Sequence, residues 1–273
     1  MARGLSSMAG ATIEIDGLVL GYERVGGGPP LVLLHGYVGD GRTTWRRQLE
    51  NLSDEFTVVA WDAPGAGRSS VPADSFCLRD YADCLAQFVQ ALGLGRPHVA
   101  GLSFGAILAL ELYRRHPALP ASMTLASGYA GWAGSLPADV AEQRLRQALT
   151  LADLPVADIV RTLLPTMFSE QAPRELVEEF GRSMRALQPV GFRAMARASA
   201  GDLRDVLPRI AVPTLLICGD ADVRAPLAVA EDLHAAIPGA ELVVLPGVGH
   251  VCNIEAPDAF NDTVRRFLRR ARD

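Results

Sequence analysis

The chain is predicted to be an α/β protein, with a mostly parallel sheet, helices packed over it and one long helical insertion. Three observations predict this. Short apolar runs bounded by Gly and Pro alternate with helical stripes over 12–126, and again over 213–272. Between 131 and 207 the strand signal disappears, and helical segments are separated by Pro137, Pro155, Pro165, Pro173 and Pro189. Finally, the stretch Gly101-Leu102-Ser103-Phe104-Gly105 stands between an apolar run and a buried helix, as a strand–turn–helix unit requires.

The elements follow in order. Residues 12–25 alternate apolar and polar around Asp16-Gly17, the pattern of an edge hairpin. Leu31 to Leu34 is a continuous apolar run, expected of a strand buried on both faces. It ends in His35-Gly36-Tyr37 and a glycine-bearing loop to Arg42, before a short helix from Trp45 to Leu52. Phe56 to Trp61 is the next strand, followed by the Gly/Pro loop Asp62 to Ser69. That loop lacks a Lys and a helix amino end directly after it, so a phosphate-binding reading is set aside. Apolar positions from Leu78 to Leu92 form a helical stripe. The run 97–102 is a strand, 104–116 a helix stopped before Pro117, and 122–126 a strand. Helices are expected near 138–151, 156–164, 174–187 and 190–200 within the insertion. A strand at 213–218, a helix at 227–236, a strand at 241–245 and a helix from Pro257 to Arg272 complete the chain. The domain reading is a core formed by 1–130 and 208–273, with 131–207 inserted as a cap.

Composition narrows the function. The 273 residues carry a formal net charge of −5 and offer no basic footprint for nucleic acid. No apolar run reaches the ~18 residues of a membrane span, and Met1 to Gly10 has no signal-like apolar stretch. A cytoplasmic location is therefore expected, with Met8 as a second potential start. All 26 basic residues are Arg, which removes lysine Schiff-base and P-loop chemistry. The cysteines Cys77, Cys84, Cys218 and Cys252 are scattered, so neither a metal site nor a disulfide framework is expected. No cofactor is expected.

The chemistry concentrates in three loops. A tight turn with serine at its apex needs small residues around it, and Gly101, Gly105 and Ala106 supply them. Such a turn lifts the Ser103 hydroxyl off the sheet and aims a helix amino end at it. A serine hydroxyl needs a base within reach, and the base needs a partner to set its tautomer. The strand ending at Cys218 runs into Gly219-Asp220-Ala221-Asp222, and the strand ending at Leu245 into Pro246-Gly247-Val248-Gly249-His250. Both loops should open at the carboxyl ends of parallel strands, where open α/β sheets place their sites. Asp222 is the expected acid and Asp220 the alternative. His98, His116 and His234 are expected to be structural, and Cys252 a packed thiol near the site.

These landmarks give the chain a resemblance to the α/β-hydrolase superfamily over essentially its whole length. They are HG at 35–36, D-x-P-G-x-G-x-S at 62–69, GLSFG at 101–105, G-x-x-D at 219–222 and G-x-G-H at 247–250. The chain is most similar to small serine esterases and 3-oxoadipate enol-lactonase-like proteins. The resemblance implies an eight-stranded sheet with a cap after the sixth strand. It also implies Ser103 as nucleophile, Asp222 as acid, His250 as base, and an oxyanion hole from the backbone N–H groups of Tyr37 and Phe104. His35 and Gly36 are implied to shape the oxyanion loop. Ala106 departs from relatives that carry a second glycine there, yet stays small.

The expected partner is a small ester or lactone, largely apolar in view of the Met- and Leu-rich insertion (Leu136, Leu151, Leu163, Met167, Phe168, Met184, Phe192, Met195). The insertion arginines Arg144, Arg161 and Arg197 are expected to be solvated rather than carboxylate-binding, and one that points inward would favour an acidic lactone. Carbon–carbon bond hydrolysis, perhydrolysis, peptidase action or slow-turnover ligand sensing remain alternatives on the same triad. A histidine base works only when neutral, so activity is expected to fall on the acid side.

Overall fold

The computed structural model describes residues 10–271; Met8 and Arg272 lie outside them. Eight strands form one sheet: β1 (Ala11–Ile15), β2 (Leu18–Val25), β3 (Pro30–Leu34), β4 (Thr57–Trp61), β5 (His98–Leu102), β6 (Ser122–Ala126), β7 (Thr214–Gly219) and β8 (Glu241–Leu245). Their order is β1-β2-β4-β3-β5-β6-β7-β8. β2 runs antiparallel to both neighbours, and every other pairing is parallel. The central strands are apolar on both faces because helices cover both. β5, β6 and β7 are buried along their whole length, whereas the edge strand β8 is half exposed.

The core helices are α1 (Gly41–Leu52), α2 (Leu78–Ala91) and α3 (Phe104–Arg115), then α8 (Leu227–Ala236), α9 (Cys252–Glu255) and α10 (Pro257–Arg270). α1 starts four residues before the expected Trp45. Asp40 caps it by accepting the Thr43 N–H at 2.7 Å, and Asp62 reaches across to accept the Gly41 N–H at 2.9 Å. The single turn α9 was not expected from the sequence.

Between β6 and β7 lie four α-helices, α4 (Ala138–Leu151), α5 (Val156–Leu163), α6 (Arg174–Met184) and α7 (Pro189–Ser199), and two short 3-10 turns at Leu164–Thr166 and Leu207–Arg209. Pro137, Pro155 and Pro173 stand at the N-caps of α4, α5 and α6, and Pro189 opens α7, positions that cost no helical hydrogen bond. Their apolar faces bury Ile159, Phe180, Met184, Phe192 and Met195.

The topology sets where a site can form. From β3 the chain crosses to β4 on one side, then returns past β3 to β5 on the other. With right-handed crossovers this reversal leaves a crevice at the carboxyl ends of β3 and β5. The register pairs Leu34 with Gly101, so the loops after β3 and β5 leave the sheet side by side.

Candidate active site

Ser103 sits at the apex of the β5–α3 turn, with φ 55° and ψ −109°. A non-glycine residue in this region is strained, and such strain is held only where the surroundings over-determine it. Here they do. A Cβ added at Gly101 would lie 2.1 Å from the Gly105 carbonyl oxygen, and one at Gly105 2.1 Å from the Leu34 carbonyl oxygen. Strand and helix therefore touch backbone to backbone. The Ser103 N–H donates to the Ala126 carbonyl at 2.9 Å, and the Ser103 hydroxyl makes no hydrogen bond among the described residues.

His250 and Asp222 are both buried, with His250 Nδ1 2.8 Å from Asp222 Oδ2. The other Asp222 oxygen accepts the Arg224 and Ala225 N–H groups at 2.8 and 2.9 Å. Burial pushes the Asp222 carboxyl up, but the His250 charge and hydrogen bond and these backbone donors outweigh it, holding the carboxyl below its ordinary value. Asp220 faces elsewhere, accepting the Gly247 N–H at 2.6 Å, so the pairing with His250 falls to Asp222. The histidine loop is clamped from outside. Glu255 accepts the Gly249 N–H at 3.0 Å and the Ser169 N–H at 3.1 Å, and Met167 of the insertion accepts the Val251 N–H at 3.0 Å.

The serine turn and the histidine loop meet through β6. Ser127 follows Ala126, the acceptor of the Ser103 N–H, and its hydroxyl lies 3.8 Å from Cys252 Sγ, two residues past His250. Cys252 is the packed thiol expected, pushed up to about 12 by burial.

The loop after β3 closes the other side. A Cβ on Gly36 would be 3.8 Å from Ser103 Cβ. His35 Nε2 accepts the Ala63 N–H at 3.0 Å, so its proton is on Nδ1, which lies 2.6 Å from the Gly36 carbonyl. Burial lowers its proton affinity and keeps it neutral. His35 thus ties the loop to the Asp62–Ser69 turn. That turn is held by Asp62, which accepts the Arg68 N–H at 3.0 Å, and by the Ser69 hydroxyl donating to the Asp62 carbonyl at 2.6 Å. The N–H groups of Tyr37 and Phe104 donate to no acceptor among the described residues.

Three histidines stand apart. His98 pairs with Ser122 at 2.8 Å, His116 with Asp83 at 2.8 Å, and His234 is exposed on α8. Arg161 is exposed beside Asp158, and Arg197 is exposed. Arg144 departs from its expectation. It is half-buried, donating to the Tyr129 hydroxyl at 2.8 Å and the Arg224 carbonyl at 3.0 Å, because α4 lays its inner face over the acid loop. Arg224 was not singled out from the sequence, yet its guanidinium bonds the Tyr37 hydroxyl and, at 2.9 Å, Thr166. Among the described residues no helix is long and apolar enough to cross a membrane.

A serine turn, a buried imidazole–carboxylate pair and a glycine loop with free N–H groups, all at the carboxyl edge of a mostly parallel sheet, define a hydrolase-type α/β architecture. The family model for the alpha/beta hydrolase fold matches residues 29–257, and the chain belongs to that family. It is 28% identical to the human serine hydrolase BPHL, with 97% of this chain and 88% of that protein covered. A thermophilic esterase from Thermogutta terrifontis with malate bound superposes with a TM-score of 0.87 at 28% identity, covering 96% of this chain and 99% of that one. The enol-lactonase from Burkholderia xenovorans gives a TM-score of 0.86 at 26% identity, over 94% of this chain and 99% of its own. The family and these neighbours support hydrolase activity.

Proposed function

We propose that this chain is a serine hydrolase that cleaves a carboxylic ester or lactone through an acyl-enzyme. The observation that carries this reading is the buried His250–Asp222 pair, carried on the loops after β7 and β8 of the same parallel sheet whose β5 ends in the strained Ser103 turn. Asp222 holds the proton on His250 Nδ1 and leaves Nε2 as the base. As the Ser103 oxygen attacks the substrate carbonyl, its proton passes to Nε2. The carbonyl oxygen takes up negative charge and is met by the N–H groups of Tyr37 and Phe104, each worth roughly 3–4 kcal/mol in comparable enzymes. The imidazolium then protonates the departing alcohol or ring oxygen. Water, deprotonated by the same imidazole, attacks the acyl ester and releases the acid and the serine. The serine–base hydrogen bond, open here, is of the kind that tightens once substrate is bound.

The segment 131–207 serves as the cap. Support comes from Phe192 of α7, stacked on Tyr37 with ring centroids 5.1 Å apart, and from Met167, bonded beside His250. Its apolar lining fits a medium-sized acyl group. The reaction would belong to the carboxylic-ester hydrolases, and the cytoplasm is the proposed compartment.

Turnover of short p-nitrophenyl esters and aliphatic lactones tests the reading. Hydrolysis of at least one class is expected, and a purified, folded protein inert towards both would contradict it. Asp222→Asn is expected to lower kcat by about 10⁴-fold, since the amide favours the wrong tautomer of His250. The same substitution tests linkage. Because its pKa is lowered on folding, Asp222 stabilises fully above its ordinary value of 3.8, and the gain is lost as pH falls through the lower folded value. The stability gap between wild type and D222N should therefore shrink below pH 3.8. A gap that widens in acid would refute the sign.

A further inference from the structure

Both chain neighbours of His250 are tied to the insertion. The Val251 N–H donates to the Met167 carbonyl at 3.0 Å. On the other side, one oxygen of the Glu255 carboxylate accepts the Gly249 N–H at 3.0 Å and the Ser169 N–H at 3.1 Å, and the second oxygen accepts the Ser169 hydroxyl. The two segments also touch backbone to backbone. A Cβ on Gly249 would lie 2.5 Å from both the Phe168 carbonyl carbon and the Ser169 nitrogen. Residues 167–169 therefore lie along residues 249–251, and the Glu255 side chain joins the two at one end.

The inner side of the same turn is fixed to the core. α9 begins two residues after His250, and Asn253 within it is buried. Its side chain donates to the Thr44 carbonyl at 2.7 Å and to the Gln48 side-chain oxygen at 3.2 Å, and its carbonyl accepts from the Gln48 amide at 3.1 Å. So α9 is anchored to α1 on one side and reaches the insertion through Glu255 on the other. The insertion segment in turn leads outward. Phe168 packs edge-on against Phe180 of α6 with ring centroids 5.7 Å apart, and Glu179 of α6 pairs with Arg46 of α1 at 3.0 Å. Ser103 and His250 are only 6% and 2% exposed, so entry of a substrate requires neighbouring segments to shift. Residues 167–169 are a neighbour bonded on both sides of the base.

We propose that Glu255 is a positioning residue for the base: its carboxylate couples the seating of the insertion at Ser169 to the orientation of His250, so that the imidazole is aligned on Ser103 only while residues 167–169 are in place. The catalytic role rests on the hydrolase reading above, whereas the clamp itself can be tested without turnover. Proton transfer needs the serine oxygen within hydrogen-bond reach of Nε2, and a misplacement of about 1 Å costs on the order of 10²-fold in rate. Glu255 holds the residue before His250 and Met167 the residue after it, which fixes the direction of the loop as well as its distance. Charge is not required for this. In Glu255→Gln the amide oxygen still accepts the two N–H groups, and the amide N–H donates to the Ser169 hydroxyl, which can accept as well as donate. Alanine leaves the Gly249 and Ser169 donors without their acceptor.

Two measurements decide it. The first is steady-state hydrolysis of a p-nitrophenyl ester, expressed per folded molecule. Glu255→Ala should lower kcat by about 10²-fold with KM within about threefold of wild type, and Glu255→Gln should recover most of the loss. Ser169→Ala, which carries the test if Glu255→Ala fails to fold, should lower kcat by about threefold or more, and should add nothing on top of Glu255→Ala. The second follows the low-field proton resonance of the His250–Asp222 pair by NMR. Its exchange with solvent should be faster in Glu255→Ala and Ser169→Ala than in wild type and Glu255→Gln. A kcat per folded molecule that is unchanged in Glu255→Ala and Ser169→Ala, with only thermal stability reduced, would overturn the coupling and leave the hydrolase reading standing. Fully additive losses, or a Glu255→Gln as impaired as the alanine variant, would also overturn it. A wild type inert to every ester, in which proton exchange still depends on Glu255 and Ser169, would uphold the clamp and reject the hydrolase.

Discussion

Ser103→Ala is expected to lower kcat for ester hydrolysis by about six orders of magnitude, the loss met when the serine of a comparable triad is removed. The reason is chemical. Without Oγ there is no acyl-enzyme, and the remaining donors can only assist direct attack by water. The protein itself should be unaffected. The hydroxyl makes no hydrogen bond among the described residues, so its removal leaves no partner unsatisfied. Ala keeps the same Cβ in the same strained turn, so stability should stay within about 0.5 kcal/mol. Steady-state kinetics with urea unfolding on the same preparation reads both effects. Turnover within tenfold of wild type would remove Ser103 from the mechanism.

Gly105→Ala is expected to have the largest effect on folding. Two terms oppose each other. Within α3, alanine is favoured over glycine by about 1 kcal/mol. Against that, the new Cβ would stand 2.1 Å from the Leu34 carbonyl oxygen and 2.9 Å from that of His35. Neither can move easily, because Leu34 is paired in the sheet with Trp61 on one side and Gly101 on the other. The overlap is with backbone in the middle of the sheet, not with the end of a flexible side chain. Steric strain should win, with a loss above about 4 kcal/mol or no soluble protein at all. Activity should fall with it, since displacing β3 moves the Tyr37 N–H. Wild-type stability in Gly105→Ala would show that strand and helix are less tightly joined than they look.

Much of the fold was legible because it is written in local patterns. The apolar runs 31–34, 97–102 and 122–126 mark β3, β5 and β6 closely, and the prolines of the insertion mark where its helices begin. The elbow was legible for the same reason: its small residues are neighbours in the chain. What escaped notice depends on distant partners. The first turn of α1 looked like loop because Gly41 is a poor helix residue, and it is held by the Asp62 carboxylate from another loop. Arg144 sits on a helix whose polar positions read as solvated, and only the fold of α4 over the acid loop brings it to Tyr129. Arg224 falls two residues after Asp222, in a stretch read only for its carboxylates. Its bond to Tyr37 is a property of three-dimensional surroundings, which spacing does not encode. Asp222 was the expected acid with Asp220 as the alternative, since both follow β7, and it is the Asp222 carboxylate that meets the imidazole while Asp220 accepts the Gly247 N–H.

Fluorophosphonate labelling with mass-spectrometric mapping tests the nucleophile most directly, because it needs no knowledge of the natural substrate. The folded protein should take up one phosphonyl group, on the peptide containing Ser103, at a rate cut by Asp222→Asn and abolished by Ser103→Ala. No adduct, or an adduct on another residue that persists in Ser103→Ala, would contradict a serine hydrolase centred on this turn.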